Sequence, residues 1–312
     1  MRILIGHDGS PAAEAALDDL RRAGLPDRAE ALVLAACPPF LPLEALAPNG
    51  AMPPGYERAY AEAMANHENF VKTSRKRAET AARKLKSAFP AWKASGEAVA
   101  DTPAHAILDK AASWKPDLIV IGSRGWSEFG KLLLGSVADR VLNHASCPVR
   151  LGRPRKGARG APGLLIAYDG SKHADAAVAA AASRNWPKGT RATVLAVSEF
   201  QLRMGDITGA LADAMGQGGK ESAWPWMEGR LDKAVKQLQG AGLKAGAALL
   251  IGEPRRSILD QAKRLKADTI FLGSHGYTGL RRLMLGSVSA AVAAHAPCSV
   301  EVVHPRKKVK AR

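Results

Sequence analysis

The stretch Asp117-Leu-Ile-Val-Ile-Gly122-Ser-Arg-Gly125 returns later in the chain as Asp268-Thr-Ile-Phe-Leu-Gly273-Ser-His-Gly276. Each version is a short apolar run that ends in glycines, which is typical of a buried strand followed by a loop. A second pair precedes them: Arg2-Ile-Leu-Ile-Gly-His-Asp8-Gly9-Ser10 matches Gly163-Leu-Leu-Ile-Ala-Tyr-Asp169-Gly170-Ser171. Because both pairs occur in the same order, the chain is predicted to contain two copies of one domain.

The repeat also predicts the domain boundaries. The chain has 312 residues, enough for two domains of ordinary size. We expect one domain over residues 1–152 and the second over residues 163–304. A Pro-, Gly- and Arg-rich linker at 153–162 joins them, and a basic tail at 305–312 follows.

Strand and helix patterns alternate within each copy. Short apolar runs at 2–7, 31–36 and 117–121 are separated by longer helical patterns, of which 57–88 is the clearest. This alternation predicts an α/β fold in which helices wind on both faces of a parallel sheet. Ligands of such folds bind beyond the carboxyl ends of the strands, so the loops at those ends are the candidate site.

Composition excludes several classes of protein. The net charge is +16, but the linker and the tail carry basic residues without acids. The sequence contains no basic helix interleaved with aromatic residues, so nucleic-acid binding is not predicted. The absence of a long apolar run and of a signal sequence predicts a cytoplasmic protein that does not enter the membrane. The three cysteines form no CxxC motif, so neither a disulfide framework nor a metal site is predicted.

The first candidate loop follows the first strand of each copy. It reads Asp8-Gly9-Ser10 in copy one and Asp169-Gly170-Ser171 in copy two. One interpretation is a turn in which the serine caps the next helix. The other is that the aspartates at the sheet edge accept hydrogen bonds from a ligand.

The second candidate loop is more specific. Copy one reads Gly122-x2-Gly125-x9-Gly135-Ser136, and copy two reads Gly273-x2-Gly276-x9-Gly286-Ser287. Glycines allow a ligand to approach the main chain closely, and a Gly-Ser pair at a helix start presents N–H groups to an anion. The loop therefore predicts a phosphate site. The alternative is a long turn with Ser136 and Ser287 as helix caps.

Together these loops resemble those of the universal stress protein family. The endings His144-Ala-Ser-Cys147-Pro-Val149 and His295-Ala-Pro-Cys298-Ser-Val300 are also similar to it. The resemblance implies a Rossmann-like, adenine-nucleotide α-hydrolase-like domain with five parallel strands in each copy. It also implies that the two copies pack as a pseudo-twofold pair through their last strands, 147–151 and 298–303. A homodimer of the whole chain and a protein partner of unknown identity are further expectations.

The resemblance implies that ATP, together with Mg²⁺, is the ligand. Asp8 and Asp169 are then expected near adenine and ribose, the loop glycines and serines around ribose and phosphates, and Val33 and Val194 against adenine. The full set of expected nucleotide-binding residues is Asp8, Gly9, Ser10, Val33, Gly122, Gly125, Gly135, Ser136, Asp169, Gly170, Ser171, Val194, Gly273, Gly276, Gly286 and Ser287.

The two copies differ in ways that predict tighter ATP binding in copy two. Copy one lacks the additional loop glycine, Gly279, and has Asp101-Thr-Pro where copy two has Gly252-Glu-Pro. The loop and first helical turn of copy one carry the acids Glu128 and Asp139, offset by Arg124 and Lys131. Copy two carries basic residues there, namely His275, Arg281 and Arg282, and no acid up to His295.

Three functions remain open from the sequence. The first is an ATP-binding stress-response or signalling module that acts through nucleotide-dependent conformation or partner binding. The second is an interaction protein with partly degenerate sites whose output does not need ATP. The third is a slow ATP hydrolase. Hydrolysis is expected to be slow because the sequence indicates no catalytic triad and no general base beside the glycine loop.

Overall fold

The computed structural model describes residues 1–40, 56–123, 134–153, 157–198, 225–276 and 285–305. The chain divides into two compact units between residues 154 and 155. We describe each unit by itself, as unit 1 and unit 2.

Unit 1 is a parallel α/β sheet. In its described residues the strands lie in the order β3-β2-β1-β4-β5, and every neighbouring pair is parallel. The elements are β1 (Arg2–Gly6), α1 (Pro11–Asp19), β2 (Glu30–Cys37), α2 (Tyr56–Ala88), β3 (Lys93–Ala100), α3 (Pro103–Trp114), β4 (Leu118–Gly122), α4 (Ser136–His144) and β5 (Val149–Gly152).

Unit 2 repeats this architecture. Where the structure describes it, the strand order is β8-β7-β6-β9-β10, again parallel throughout. The elements are β6 (Gly163–Ala167), α5 (Lys172–Ala182), β7 (Arg191–Ser198), α6 (Pro225–Gly240), β8 (Lys244–Ile251), α7 (Pro254–Arg264), β9 (Thr269–Gly273), α8 (Ser287–His295) and β10 (Ser299–Val303). The predicted fold of each copy, five parallel strands wound by helices, is confirmed.

Alternation along the strands decides which side chains enter which layer. In β1 and β2, Ile3, Ile5 and Val33 pack with α1 and α2 in one core cluster. The intervening residues, such as Leu34, point to the opposite face, because successive side chains of a strand alternate. Both faces are buried at the centre of the sheet, and the strands are accordingly apolar throughout.

The helix that follows the first strand is capped in the same way in both units. The Ser10 hydroxyl accepts a hydrogen bond from Ala13 N at 3.2 Å, and the Ser171 hydroxyl accepts one from Ala174 N at 3.1 Å. These bonds satisfy one of the unpaired N–H groups of each first turn. The expectation that the two serines cap helices is confirmed.

The N-cap residues of α3 and α7 differ in the hydrogen bonds that they make. Thr102 occupies the N-cap position of α3, but its side chain makes no capping hydrogen bond. Glu253 at the N-cap of α7 accepts from Arg255 N and Arg256 N with its two carboxylate oxygens. The longer glutamate side chain reaches both N–H groups, although glutamate is not among the residue types preferred at this position.

Each unit also contains a buried ion pair that anchors its last strand. In unit 1, Arg150 on β5 donates to Asp19 at 2.7 Å. In unit 2 the charges are exchanged: Glu301 on β10 accepts from Arg184. All four side chains are buried. Removal of either partner would take a charged hydrogen-bond partner from a buried ion.

No helix among the described residues is sufficiently long and apolar to span a membrane.

Candidate functional site

Each unit has a cavity at the carboxyl ends of its strands, where the sequence predicts the site. Cavity 1 has a volume of about 170 Å³ and cavity 2 of about 510 Å³. The predicted residues that line them are Asp8, Gly122, Gly135 and Ser136 in unit 1, and Asp169, Gly273, Gly276, Gly286 and Ser287 in unit 2. Gly125 lies outside the described residues.

Four further predicted residues shape the first turn. Gly9 and Gly170 have φ values of 79° and 78°, a conformation that favours glycine. Ser10 and Ser171 are buried and cap their helices, as described above. These residues position the aspartates beside the cavities.

Val33 and Val194 lie in the cores of their units, and neither side chain is exposed. The neighbouring Leu34 and Ala36 of β2 line cavity 1, and the C-terminal half of β7, including Val197, lines cavity 2. In β2 the alternation of strand side chains separates the core residues from the cavity residues.

The aspartates are held by their own turns. Asp8 Oδ1 accepts from Ser10 N at 2.9 Å, and Asp169 Oδ1 accepts from Ser171 N at 3.0 Å. In unit 2, Asp169 Oδ2 lies 2.9 Å from the position that a Cβ on Gly276 would take. The carboxylate and the glycine loop therefore face each other at close range, and a side chain on Gly276 would fill the space between them.

The loop glycines serve two different purposes. A Cβ on Gly122 would lie 2.8 Å from the carbonyl carbon of Ala12, and one on Gly273 would lie 2.6 Å from His173 Cβ. These two glycines let the strand end approach the first helix of the unit, so packing alone requires them. A Cβ on Gly286 would meet no atom closer than 3.4 Å, so packing does not explain this glycine.

The helices after the glycine loops begin without a side-chain cap. The N-cap residue is Gly135 for α4 and Gly286 for α8, and neither helix has a capping side-chain hydrogen bond. Ser136 and Ser287 are the first helical residues, so the alternative that these serines are the caps is wrong. The first-turn N–H groups and the positive end of the helix dipole lie at the cavity, which suits an anion.

The residue before each aspartate differs between the units. In unit 1, His7 Nε2 lies 3.1 Å from Glu14 Oε1, and burial lowers the pKa of His7. In unit 2, the Tyr168 hydroxyl donates to Asp175 Oδ1 at 2.7 Å, and burial together with this bond raises the pKa of Tyr168 to about 12. The His7 imidazole and the Tyr168 hydroxyl therefore favour their uncharged forms near neutral pH, and the two residues line cavity 1 and cavity 2 respectively.

Unit 2 contains a histidine cluster that sequence reasoning missed. Ser274 Oγ lies 3.0 Å from His173 Nδ1 and 3.1 Å from His275 Nδ1. The His173 and His275 rings meet edge to face with their centroids 5.1 Å apart. No local spacing reveals this contact, because α5 carries His173 while His275 follows β9, about a hundred residues later.

One surface cluster has the donor spacing of a metal site. Among the described residues, only Asp101, His105 and Asp109 place three such donor atoms within 4.8 Å of one another. His105 Nδ1 lies 2.5 Å from Asp101 Oδ2, and this hydrogen bond raises the pKa of His105. The cluster is exposed, and its geometry is that of an imidazolium between two carboxylates.

Comparison with known proteins shows the family. The model of the universal stress protein family matches residues 1–151 and again residues 163–304. A universal stress protein of Mycolicibacterium smegmatis is 29% identical over 215 residues, which covers 66% of this chain and 67% of that protein. One from Thermus aquaticus is 35% identical over 145 residues, covering 45% of this chain and 96% of that protein.

Solved structures show the same fold. A universal stress protein from Archaeoglobus fulgidus covers 98% of this chain with 98% of its own, at a TM-score of 0.59 and 22% identity. Because the family model matches both halves and nearly the whole chain, the protein belongs to the universal stress protein family, with two family domains in tandem.

Proposed function

We propose that this protein is an ATP-binding stress-response or signalling module that holds nucleotide at the carboxyl edge of each sheet. The observation that carries the proposal is the start of α4 and α8. Both helices have a glycine as the N-cap residue and no side-chain cap, and both start at a cavity that an aspartate also lines. Uncapped N–H groups bind phosphate, while a carboxylate accepts hydrogen bonds from ribose hydroxyls.

The phosphate end of cavity 2 fits this ligand. Gly276 and Gly286 leave space that a Cβ would occupy, and Ser287 starts the helix beside them. The corresponding residues of unit 1 are Gly135 and Ser136. Bound Mg²⁺ would neutralise part of the triphosphate charge, and the residues above would hold the phosphates through main-chain N–H groups.

The other end of cavity 2 suits a flat apolar base. Its walls include Leu195, Val197, Met227 and Ile258. A volume of about 510 Å³ falls within the range of roughly 300–1,000 Å³ that is usual for small-molecule sites. Asp169 lies beside the glycine loop, with Oδ2 2.9 Å from the position of a Cβ on Gly276. We place the base at the apolar end, beside the end of β7, and keep direct contacts of Val33 and Val194 as a prediction.

Cavity 1 favours a second candidate function for unit 1. Its volume of about 170 Å³ lies below that range, although the glycine helix start is the same. A degenerate unit 1 that serves as an interaction domain is therefore the alternative. The proposed place of action is the cytoplasm, and the output is a change in conformation or partner binding.

The experiment begins with the purified chain. Heat-released supernatant is analysed for nucleotide, and ATP is then titrated calorimetrically into the wild type and into the variants Gly135→Val and Gly286→Val. We expect ATP in the supernatant and loss of one site in each variant. Unchanged binding when both glycines are replaced refutes the cradle. Parallel measurement of phosphate release distinguishes binding from slow hydrolysis.

A further inference from the structure

The histidine cluster of unit 2 stands beside the proposed phosphate end of cavity 2. It comprises His173 on α5, His275 after β9 and His304 after β10. His275 lines the cavity, and the other two imidazoles lie near enough for their charges to act on one another. The acid that acts on His173 is Asp169, which also lines cavity 2.

Ser274 links two of the rings into a relay. Its hydroxyl has one hydrogen, and Nδ1 atoms of His173 and His275 lie at 3.0 and 3.1 Å. The hydroxyl can donate to one ring and must accept from the other. One ring therefore carries its proton on Nδ1 and the other on Nε2, and rotation of the hydroxyl exchanges the two arrangements. A proton that enters at one imidazole can thus be shared with the other.

Without an anion nearby, His173 and His304 favour their neutral forms. The Nε2 atoms of His275 and His304 are buried and have no hydrogen-bond partner among the described residues. Burial and the charge of His275 lower the pKa of His173, against the opposing effect of Asp169. Burial, followed by the charges of His275 and His173, lowers the pKa of His304 to about 4. A nearby phosphate would reverse this balance, because it supplies the missing negative charge.

We propose that unit 2 binds a proton at the His173–Ser274–His275 cluster when it binds the phosphates of a nucleotide. This inference rests on the proposed function, since it needs phosphate at the start of α8. Nucleotide affinity at unit 2 then increases as the pH falls through the range in which the cluster titrates. A rise of one pKa unit on binding corresponds to about a tenfold gain in affinity.

Unit 1 provides the matched comparison. The repeat places Ala12 where unit 2 has His173, and Arg153 where it has His304, while Ser123 corresponds to Ser274. The packing agrees, because Gly122 approaches Ala12 as Gly273 approaches His173. Unit 1 therefore has the serine without this pair of imidazoles, and we expect no such proton coupling there.

A bound metal ion is a weaker interpretation of the same histidines. Their donor atoms do not lie within 4.8 Å of one another, a spacing that the described part of the chain shows only at Asp101, His105 and Asp109. The Ser274 hydroxyl also occupies the space between the two Nδ1 atoms. The geometry suits a shared proton.

The test measures proton uptake directly. MgATP is titrated calorimetrically into the Gly135→Val protein, in which only unit 2 binds, in buffers of different ionisation enthalpy. The Gly286→Val protein reports on unit 1 and supplies the proton contribution of ATP itself. We expect additional proton uptake at unit 2 near pH 6.5, and an affinity that rises on the order of tenfold between about pH 8 and pH 6 relative to unit 1.

Two substitutions assign the proton to the cluster. In the Gly135→Val background, His173→Ala introduces the unit 1 residue and keeps the Cβ that packs on Gly273, while Ser274→Ala breaks the relay. Both should remove the additional uptake, whereas Ser123→Ala in the Gly286→Val protein should change nothing. If unit 2 of both variants still binds MgATP and its proton uptake is unchanged, the inference is overturned but the proposed function stands. Absence of MgATP binding at unit 2 refutes both.

Discussion

The two sites differ in the charge that their helix starts present to a phosphate. The first turn of α4 contains Asp139, whereas the first turn of α8 contains no acidic residue, and the repeat places Ala290 at the corresponding position. One carboxylate near a helix N-terminus changes the energy of a bound anion by about 0.3–1 kcal/mol. We therefore expect Asp139→Ala to tighten MgATP binding at unit 1 by about two- to fivefold.

The whole difference between the sites should be larger. Cavity 1 has about a third of the volume of cavity 2, which favours tighter nucleotide binding in unit 2. The remaining loop charges lie outside the described residues. Copy one carries Glu128 together with Arg124 and Lys131, whereas copy two carries Arg281 and Arg282 without an acid, so copy two keeps the larger positive charge. We expect unit 2 to bind MgATP more tightly by about 1–2 kcal/mol, roughly tenfold.

The assay is calorimetric titration of Gly135→Val, which leaves unit 2, and of Gly286→Val, which leaves unit 1, at fixed pH and salt. Asp139→Ala is added to the second protein. Asn143→Ala removes a side chain that bonds to Asp139 without changing the charge, and serves as the control. Equal affinities of the two units, or tighter binding at unit 1, refute the reasoning. If the Asp139→Ala protein binds MgATP no more tightly than the Asn143→Ala control, the charge argument is refuted.

Three further predictions concern the fold and its pH dependence. Asp19→Ala removes a buried charged partner of Arg150 and should lower the free energy of unfolding by about 1–3 kcal/mol, measured by urea denaturation; a loss below about 0.5 kcal/mol contradicts it. Gly273→Ala should destabilise the chain by about 1–3 kcal/mol, since its Cβ overlaps α5, whereas Gly286→Ala should leave the melting temperature nearly unchanged. Because Asp101 raises the pKa of His105, this pair stabilises the fold fully below pH 6.5 and loses its effect as pH rises through the higher folded pKa; melting curves of His105→Ala against pH should lack this step.

The sequence predicted those features that repeat. Two Asp-Gly-Ser turns and two glycine loops with constant spacing specified the fold of each unit and the edge where the cavities lie. Local signals were sufficient there, because turns, caps and strand ends depend on residues close in the chain. The capping serines Ser10 and Ser171 are an example, since the cap and its N–H partner are three residues apart.

Features that depend on distant residues were not predictable in this way. The Asp19–Arg150 and Arg184–Glu301 pairs join residues more than a hundred positions apart, and so does the His173–Ser274 contact. Gly122 illustrates a second limit. Its place in the glycine loop indicated a phosphate contact, but its Cβ position shows that approach to α1 already requires a glycine. Spacing alone does not separate these two reasons.

The residues that differ between the units surround a cradle that does not differ. The aspartate, the positive-φ glycine and the Gly-Ser helix start are common to both sites, whereas the layer behind them has Ala12 in one unit and His173 in the other. If the shared cradle binds nucleotide in both units, as proposed, the layer behind it is expected to set how strongly and at what pH each unit binds. If unit 2 binds ATP more tightly than unit 1 and also takes up a proton on binding, acidification increases the difference between their affinities for ATP. Unit 2 would then fill at ATP concentrations that leave unit 1 mostly free, so one chain could report both nucleotide level and pH.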